Sequence, residues 1–240
     1  MKRLIEVSIN KAGYQKNKPI IQDIHFKIQP GELVGLLGPN GAGKSTTIQT
    51  MLNTLSDYDG KITYPDNVPR YAYIPEQPVY YEKLTMMEHF QLAADLFEMD
   101  AYTFKQRLER LLAIFKMKPH LHQFPMTFSK GMQQKVMIIQ ALLIQPPLYI
   151  IDEPFVGLDP HAIKNFTRLI QEELNKGASA LMATHMLDTA ERMCDRFLLM
   201  ADGRLVADGT LEQLRAQVGV SDATVFDCFD YLLGSDSHET

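Results

Sequence analysis

The stretch Gly38-Pro39-Asn40-Gly41-Ala42-Gly43-Lys44-Ser45 carries the spacing G-x-x-x-x-G-K-[ST] at every fixed position. Glycines let the backbone curl until successive N–H groups face inward, and the following helix aims its N-terminus at the same point. The result is a concave anion site. Lys44 adds a point charge for outer phosphates, Ser45 a hydroxyl for Mg²⁺, and Thr46 a further donor to phosphate. A second concentration of chemistry is Leu148-Tyr149-Ile150-Ile151-Asp152-Glu153, an apolar run ending in two acids. A buried strand delivers such side chains to the carboxyl edge of a parallel sheet, where ligands bind in open α/β folds. Asp152 suits a water-mediated hold on Mg²⁺, and Glu153 suits a general base that polarises an attacking water. Together these residues point to Mg²⁺-dependent hydrolysis of a nucleoside triphosphate. A guanine-reading N-K-x-D motif does not occur: Asn175-Lys176-Gly177-Ala178 breaks at its last position.

The elements that must position these groups follow from periodicity. Ile5, Val7 and Ile9, then Ile24, Phe26 and Ile28, alternate with polar neighbours as half-buried strands do. Leu33–Leu37 is a nearly continuous apolar run, expected of a strand covered on both faces, and it feeds the glycine-rich turn. Residues 44–55 read as a helix; Ile62 and Tyr71–Ile74 read as short strands, with turns at Pro65 and Pro69. Residues 85–140 are mainly helical: Thr85 and Glu88 have capping-box spacing, and Leu108, Leu111, Leu112 and Phe115 share a face. Further strands are expected at Leu148–Ile151, Ala180–Ala183, Phe197–Met200 and Leu205–Ala207. Between them, Asp159 with Pro160 starts a helix that Gly177 stops, and Thr210 with Gln213 caps the last one.

The fold expected is α/β, with a mostly parallel sheet wrapped by helices and interrupted by a helical insertion. The chain of 240 residues, 45% hydrophobic and 22% charged, suits one large globular domain. Its net charge of −5 gives no support to nucleic-acid binding. Cys194 and Cys228 form no disulfide framework, and the His120/His122 pair lacks further ligands at zinc spacing. No stretch has the roughly 18–20 apolar residues of a spanning helix, so a cytosolic chain is expected, with any membrane role coming through a partner.

In this order, the motifs resemble those of the ATP-binding subunits of ABC transporters, over about residues 2–217. Tyr14 lies where that family stacks an aromatic ring on adenine, and Tyr73-Ile74-Pro75-Glu76-Gln77 lies at its Q-loop. Phe128-Ser129-Lys130-Gly131-Met132 matches the signature, Gly157-Leu158-Asp159 the D-loop, and Thr184-His185 the switch histidine. The wording YIPE, FSKGM and DEPFVGLDP is most similar to Ecs-type ATP-binding subunits of Gram-positive bacteria. The resemblance implies a P-loop NTPase core, an N-terminal antiparallel β subdomain and a helical subdomain inserted at about 84–140. All of it lies in a single domain, 1–240, with a short polar tail at about 219–240. It also implies ATP and Mg²⁺ as cofactors, with Ser45, Asp152 and either Glu76 or Gln77 on the metal.

For partners, the resemblance implies a separate integral membrane subunit at the inner face of the cell membrane and a second copy bound head to tail. In that dimer Ser129 and the Gly131 amide of one copy close on the γ-phosphate held by the other. Asp159 connects the two sites, and His185 contacts the γ-phosphate and the catalytic water. An exporter-like, Ecs-type role tied to secretion or regulated proteolysis follows. The alternative is a soluble relative acting on ribosomes or DNA, which usually has two such domains in one chain and a basic face. The signature departs from the family's Leu-Ser-Gly-Gly-Gln at Lys130 and Met132, while its serine and second glycine are retained.

Overall fold

A computed structural model describes residues 5–15, 18–64 and 70–235. The turns expected at Pro65 and Pro69, and the chain ends at 1–4 and 236–240, lie outside these residues. Two compact units emerge: Met1–Pro69 with Ser179–Thr240, and Arg70–Ala178.

In the first unit, β1 (Ile5–Gly13), β2 (Ile21–Ile28) and β4 (Asp57–Thr63) form an antiparallel sheet in the order β2-β1-β4. The alternation seen in the sequence becomes burial of Ile5, Val7, Ile9, Ile24, Phe26 and Ile28. β3 (Leu33–Leu37) is buried at all five positions and leads into α1 (Lys44–Met51). β3 pairs in parallel with β7 (Ser179–Thr184) on one side and β8 (Arg196–Ala201) on the other. β9 (Arg204–Gly209) closes this sheet antiparallel to β8, so the sheet is mixed and mostly parallel. α1 is shorter than the 44–55 expected, because Asn53 turns into the left-handed region at φ 55°.

The C-terminal part holds α6 (Leu187–Met193), α7 (Leu211–Val218) and α8 (Val225–Ser235). Thr210 and Gln213 form the expected capping box on α7. α8 occupies residues 225–235 of the polar tail expected at about 219–240. Its Val225, Cys228 and Phe229 are buried, at i, i+3, i+4 spacing among the aspartates that made this stretch read as polar.

The second unit pairs β5 (Tyr71–Ile74) in parallel with β6 (Leu148–Asp152), whose five residues are all buried. Its helices are α2 (Met86–Leu96), α3 (Ala101–Phe115), α4 (Lys130–Leu143) and α5 (Pro160–Asn175). Thr85 and Glu88 form the full capping box on α2. Leu108, Leu111, Leu112 and Phe115 of α3 are buried together, each contributing about 1.5–3 kcal/mol of apolar burial. Asp159 caps α5 with Pro160 in its first turn, and Gly177 ends it at φ 97°, as the sequence implies. Among the described residues no helix is long and apolar enough to cross a membrane.

Candidate active site

In the first unit the phosphate loop runs from buried Gly38 through exposed Pro39, Asn40 and Gly41 to buried Ala42, Gly43 and Lys44. Gly43 serves as N-cap of α1 at φ 103°, where an L side chain is strained, and a Cβ there would meet Ile21 Cγ2 at 2.4 Å. Because the cap is a glycine, no side chain answers the first-turn amides, and the turn holds no acid. The N-terminus of α1 therefore keeps its positive character at the loop. Lys44 Nζ folds back to donate to the carbonyls of Gly38 (2.7 Å) and Pro39 (3.1 Å), so its charge stays within the loop. Ser45 faces solvent, whereas Thr46 is buried.

Two backbone ties hold this loop in place. The Ala42 carbonyl accepts from Gly203 N at 3.1 Å in the β8–β9 turn, and Gly203 O accepts from Gln22 N at 2.8 Å. The turn thus joins the loop to the start of β2. Tyr14 follows β1 in a loop closed by Ile20 N donating to Ala12 O at 2.8 Å, and the residue is 57% exposed. The β3–β7 register pairs Leu37 with Thr184, which places exposed His185 at the strand end beside Gly38. The phosphate loop and His185 thus share one sheet edge.

In the second unit the register pairs Ile74 with Ile151, so the next residues of both strands, Glu76 with Gln77 and Asp152 with Glu153, emerge at one edge. Asp152 (6% exposed) and Glu153 (8%) are buried, while Glu76 and Gln77 are exposed. Burial, and then the charges of Asp152 and Glu76, push the Tyr73 phenol up to about 12. Glu153 has φ 46°, a left-handed conformation that costs a non-glycine residue about 1–2 kcal/mol. Strain of this kind persists where the surroundings over-determine it, commonly at functional positions. Nothing in the residue types forecasts it.

The same unit brings the signature and the D-loop together. Ser129 caps α4, its Oγ accepting from Met132 N at 3.4 Å, and Gly131 packs so closely that a Cβ would lie 2.3 Å from Gly157 O. Gly157 itself has φ 79°. Asp159 Oδ1 accepts from Ala162 N at 2.9 Å, and its Oδ2 accepts from Lys135 Nζ at 2.7 Å. The Lys135 hydrogen bond, with help from the Ala162 amide, holds the Asp159 carboxyl below the usual carboxylate range. Lys135 escaped the sequence reading because its partner lies 24 residues away and no motif spacing links them.

After the Q-loop, His89 is buried with its tautomer set by its neighbours. Nε2 accepts from Tyr81 N (3.0 Å), so Nδ1 carries the proton and donates to Thr85 O (2.8 Å). Tyr80, packed edge-on to His89, donates to the Gln133 carbonyl, and burial raises its phenol. Beside them a groove of about 270 Å³ is lined by Tyr81, His89, Leu92, Leu96, Phe97 and Met137.

Comparisons with known proteins bear on the family of this chain. The family model described as "ABC transporter" matches residues 21–156. The chain is 45% identical over 229 residues to the ABC transporter ATP-binding protein YthP of Bacillus subtilis (strain 168), covering 95% of this chain and 96% of that protein. It is 44% identical over 246 residues to the ABC-type transporter ATP-binding protein EcsA of the same organism, covering 98% and 99%. A solved structure described as the ATP binding subunit of an ABC transporter superposes with a TM-score of 0.92 at 42% identity, covering 96% of this chain and 99% of that one. The chain belongs to the ABC transporter family, as an ATP-binding subunit.

Proposed function

We propose that the two units act together as one cassette, 1–240, that hydrolyses ATP and drives an exporter-like, Ecs-type transporter by closing onto a second copy. The observation that carries this reading is the phosphate loop, with Lys44 held over the Gly38 and Pro39 carbonyls and His185 at the neighbouring strand end. Lys44, the α1 amides and the Thr46 hydroxyl bind the phosphates, and Tyr14 offers an exposed ring to adenine. Glu153 orients and deprotonates the attacking water, its buried carboxylate held by a constrained backbone. His185 holds the γ-phosphate.

The donors fit a hard cation: a serine hydroxyl, a buried carboxylate and two oxygen-bearing side chains, all suited to Mg²⁺. Ser45 and Asp152, with Glu76 or Gln77, would hold it. There it would neutralise charge on the phosphate oxygens.

Ser129 and Gly131 of one copy then complete the site of the other, with Asp159 at the seam. Closure excludes water where negative charge develops. The membrane subunit docks at the groove beside His89, where Val79, Tyr81 and Leu96 are exposed apolar groups. In this reading the subunit works at the inner face of the cell membrane.

The test is Glu153→Gln, which should retain ATP binding, nearly abolish turnover and give an ATP-dependent dimer by size exclusion with light scattering. Turnover near wild type would sink the role of Glu153, and a monomer with saturating ATP would sink the closure mechanism. Lys44→Ala should abolish ATP binding by equilibrium titration.

A further inference from the structure

The D-loop is held by α4 at two points within the second unit. One is the Gly131–Gly157 backbone contact, too tight for a Cβ. The other is the ion pair from Lys135, one turn further along α4, to Asp159 Oδ2 at 2.7 Å. Asp159 is thereby fully assigned: one oxygen caps α5 and the other takes the ammonium. The Lys135 side chain is only 19% exposed, its stem covered by the protein, while the ion pair at its tip stays in reach of solvent and the Asp159 side chain is 50% exposed. The first hold falls on Gly157, at φ 79°, whose backbone could swing freely without it. At its other end α4 is fixed as well: Arg107 donates to the Leu142 and Leu143 carbonyls and lies 3.6 Å from Glu173 of α5.

We propose that Lys135 is a positioning residue: by clasping Asp159 it makes the signature segment and the D-loop one rigid surface, presented together to the second copy. The proposal rests on the ATP-closed dimer described above. Its physical content is preorganisation. A D-loop already held in place loses less freedom on closure, so the dimer forms more readily at unchanged nucleotide affinity. In a symmetric head-to-tail dimer every such contact occurs twice, which doubles the effect of a modest ion pair.

The experiment uses the full chain in the Glu153→Gln background, with Lys135→Met, Lys135→Arg, Asp159→Asn and the Lys135→Met/Asp159→Asn pair. ATP-dependent dimerisation is measured by sedimentation, ATP affinity by titration of the monomer, and stability by melting. Lys135→Met should weaken the dimer roughly fivefold with ATP affinity unchanged, and Lys135→Arg should restore most of it. Asp159→Asn keeps the cap on α5 but loses the ion pair. It changes Asp159 at the seam as well as the ion pair, so it should weaken the dimer at least as much as Lys135→Met, and the pair should cost no more than Asp159→Asn alone. Should Lys135→Met melt early, Lys135→Gln carries the same comparison with Asp159 in place. An unchanged dimer constant in Lys135→Met, or additive losses in the pair, overturns the clasp while the function stands. A parent that stays monomeric with ATP overturns both.

Discussion

Glu153 pairs a chemical role with a backbone conformation that opposes stability, and the two can be separated by substitution. Glu153→Ala and Glu153→Gly remove the same carboxylate and the same side-chain interactions, so their difference isolates the backbone. At φ 46° alanine has about 1–2 kcal/mol of left-handed strain that glycine escapes. Glycine gives back about 0.4–1 kcal/mol through its freer unfolded chain. The balance is about 1 kcal/mol in favour of glycine, which for 240 residues is a melting temperature about 2–4 °C higher. The assay is a pair of thermal melts in the same buffer, followed by steady-state ATP turnover. The glycine variant should be the more stable protein, and neither should turn over. A glycine variant that melts at or below the alanine variant would refute the strain argument, whatever its activity.

Gly131→Ala should break the seat of the D-loop, because its Cβ would lie 2.3 Å from the Gly157 carbonyl. Relieving that overlap costs about 1–3 kcal/mol, more than the roughly 1 kcal/mol of helix propensity gained. In the Glu153→Gln background it should keep monomeric ATP binding and lose most dimer; a normal dimer constant contradicts the packing argument. The acid limb of stability also follows from sign. Asp159 is held below its ordinary value by Lys135, Glu172 by Arg110, and Asp100, Glu88 and Asp227 by the hydroxyls and amides they cap or accept from. A lowered folded value stabilises above the unfolded value, about 4, and is lost as pH falls through the folded one. Urea midpoints should therefore drop steadily below about pH 4, and a flat or rising midpoint there would contradict these pairings.

Much of this was legible in the sequence where local chemistry decides structure. The Leu33–Leu37 run, the Thr85/Glu88 and Thr210/Gln213 boxes, and Asp159-Pro160 with Gly177 each specify their element through adjacent residues. What stayed hidden depends on partners remote in sequence or on backbone torsion. α8 read as a polar tail because its aspartates dominate composition, although Val225, Cys228 and Phe229 already had helical spacing. The Lys135–Asp159 pair joins two elements with no shared motif, and the torsion of Glu153 is set by its surroundings rather than by its type. For the candidate site, the sequence offers candidate residues through their motifs but not the groups that support them.

The ties on the phosphate loop bear on the order in which the protein is made. Every residue of the loop is made before β7, β8 and Gly203, which follow it in the chain. Yet β3 acquires its neighbours β7 and β8 only from Ser179 onward, and the Ala42 carbonyl waits for the Gly203 amide, 161 residues later. A nascent chain therefore carries the whole motif, until Gly203 is made, without the sheet that shapes it. ATP cannot act as a folding ligand during that time, since a ligand stabilises only a state that presents its site. The nucleotide site is finished only once Gly203 has been made.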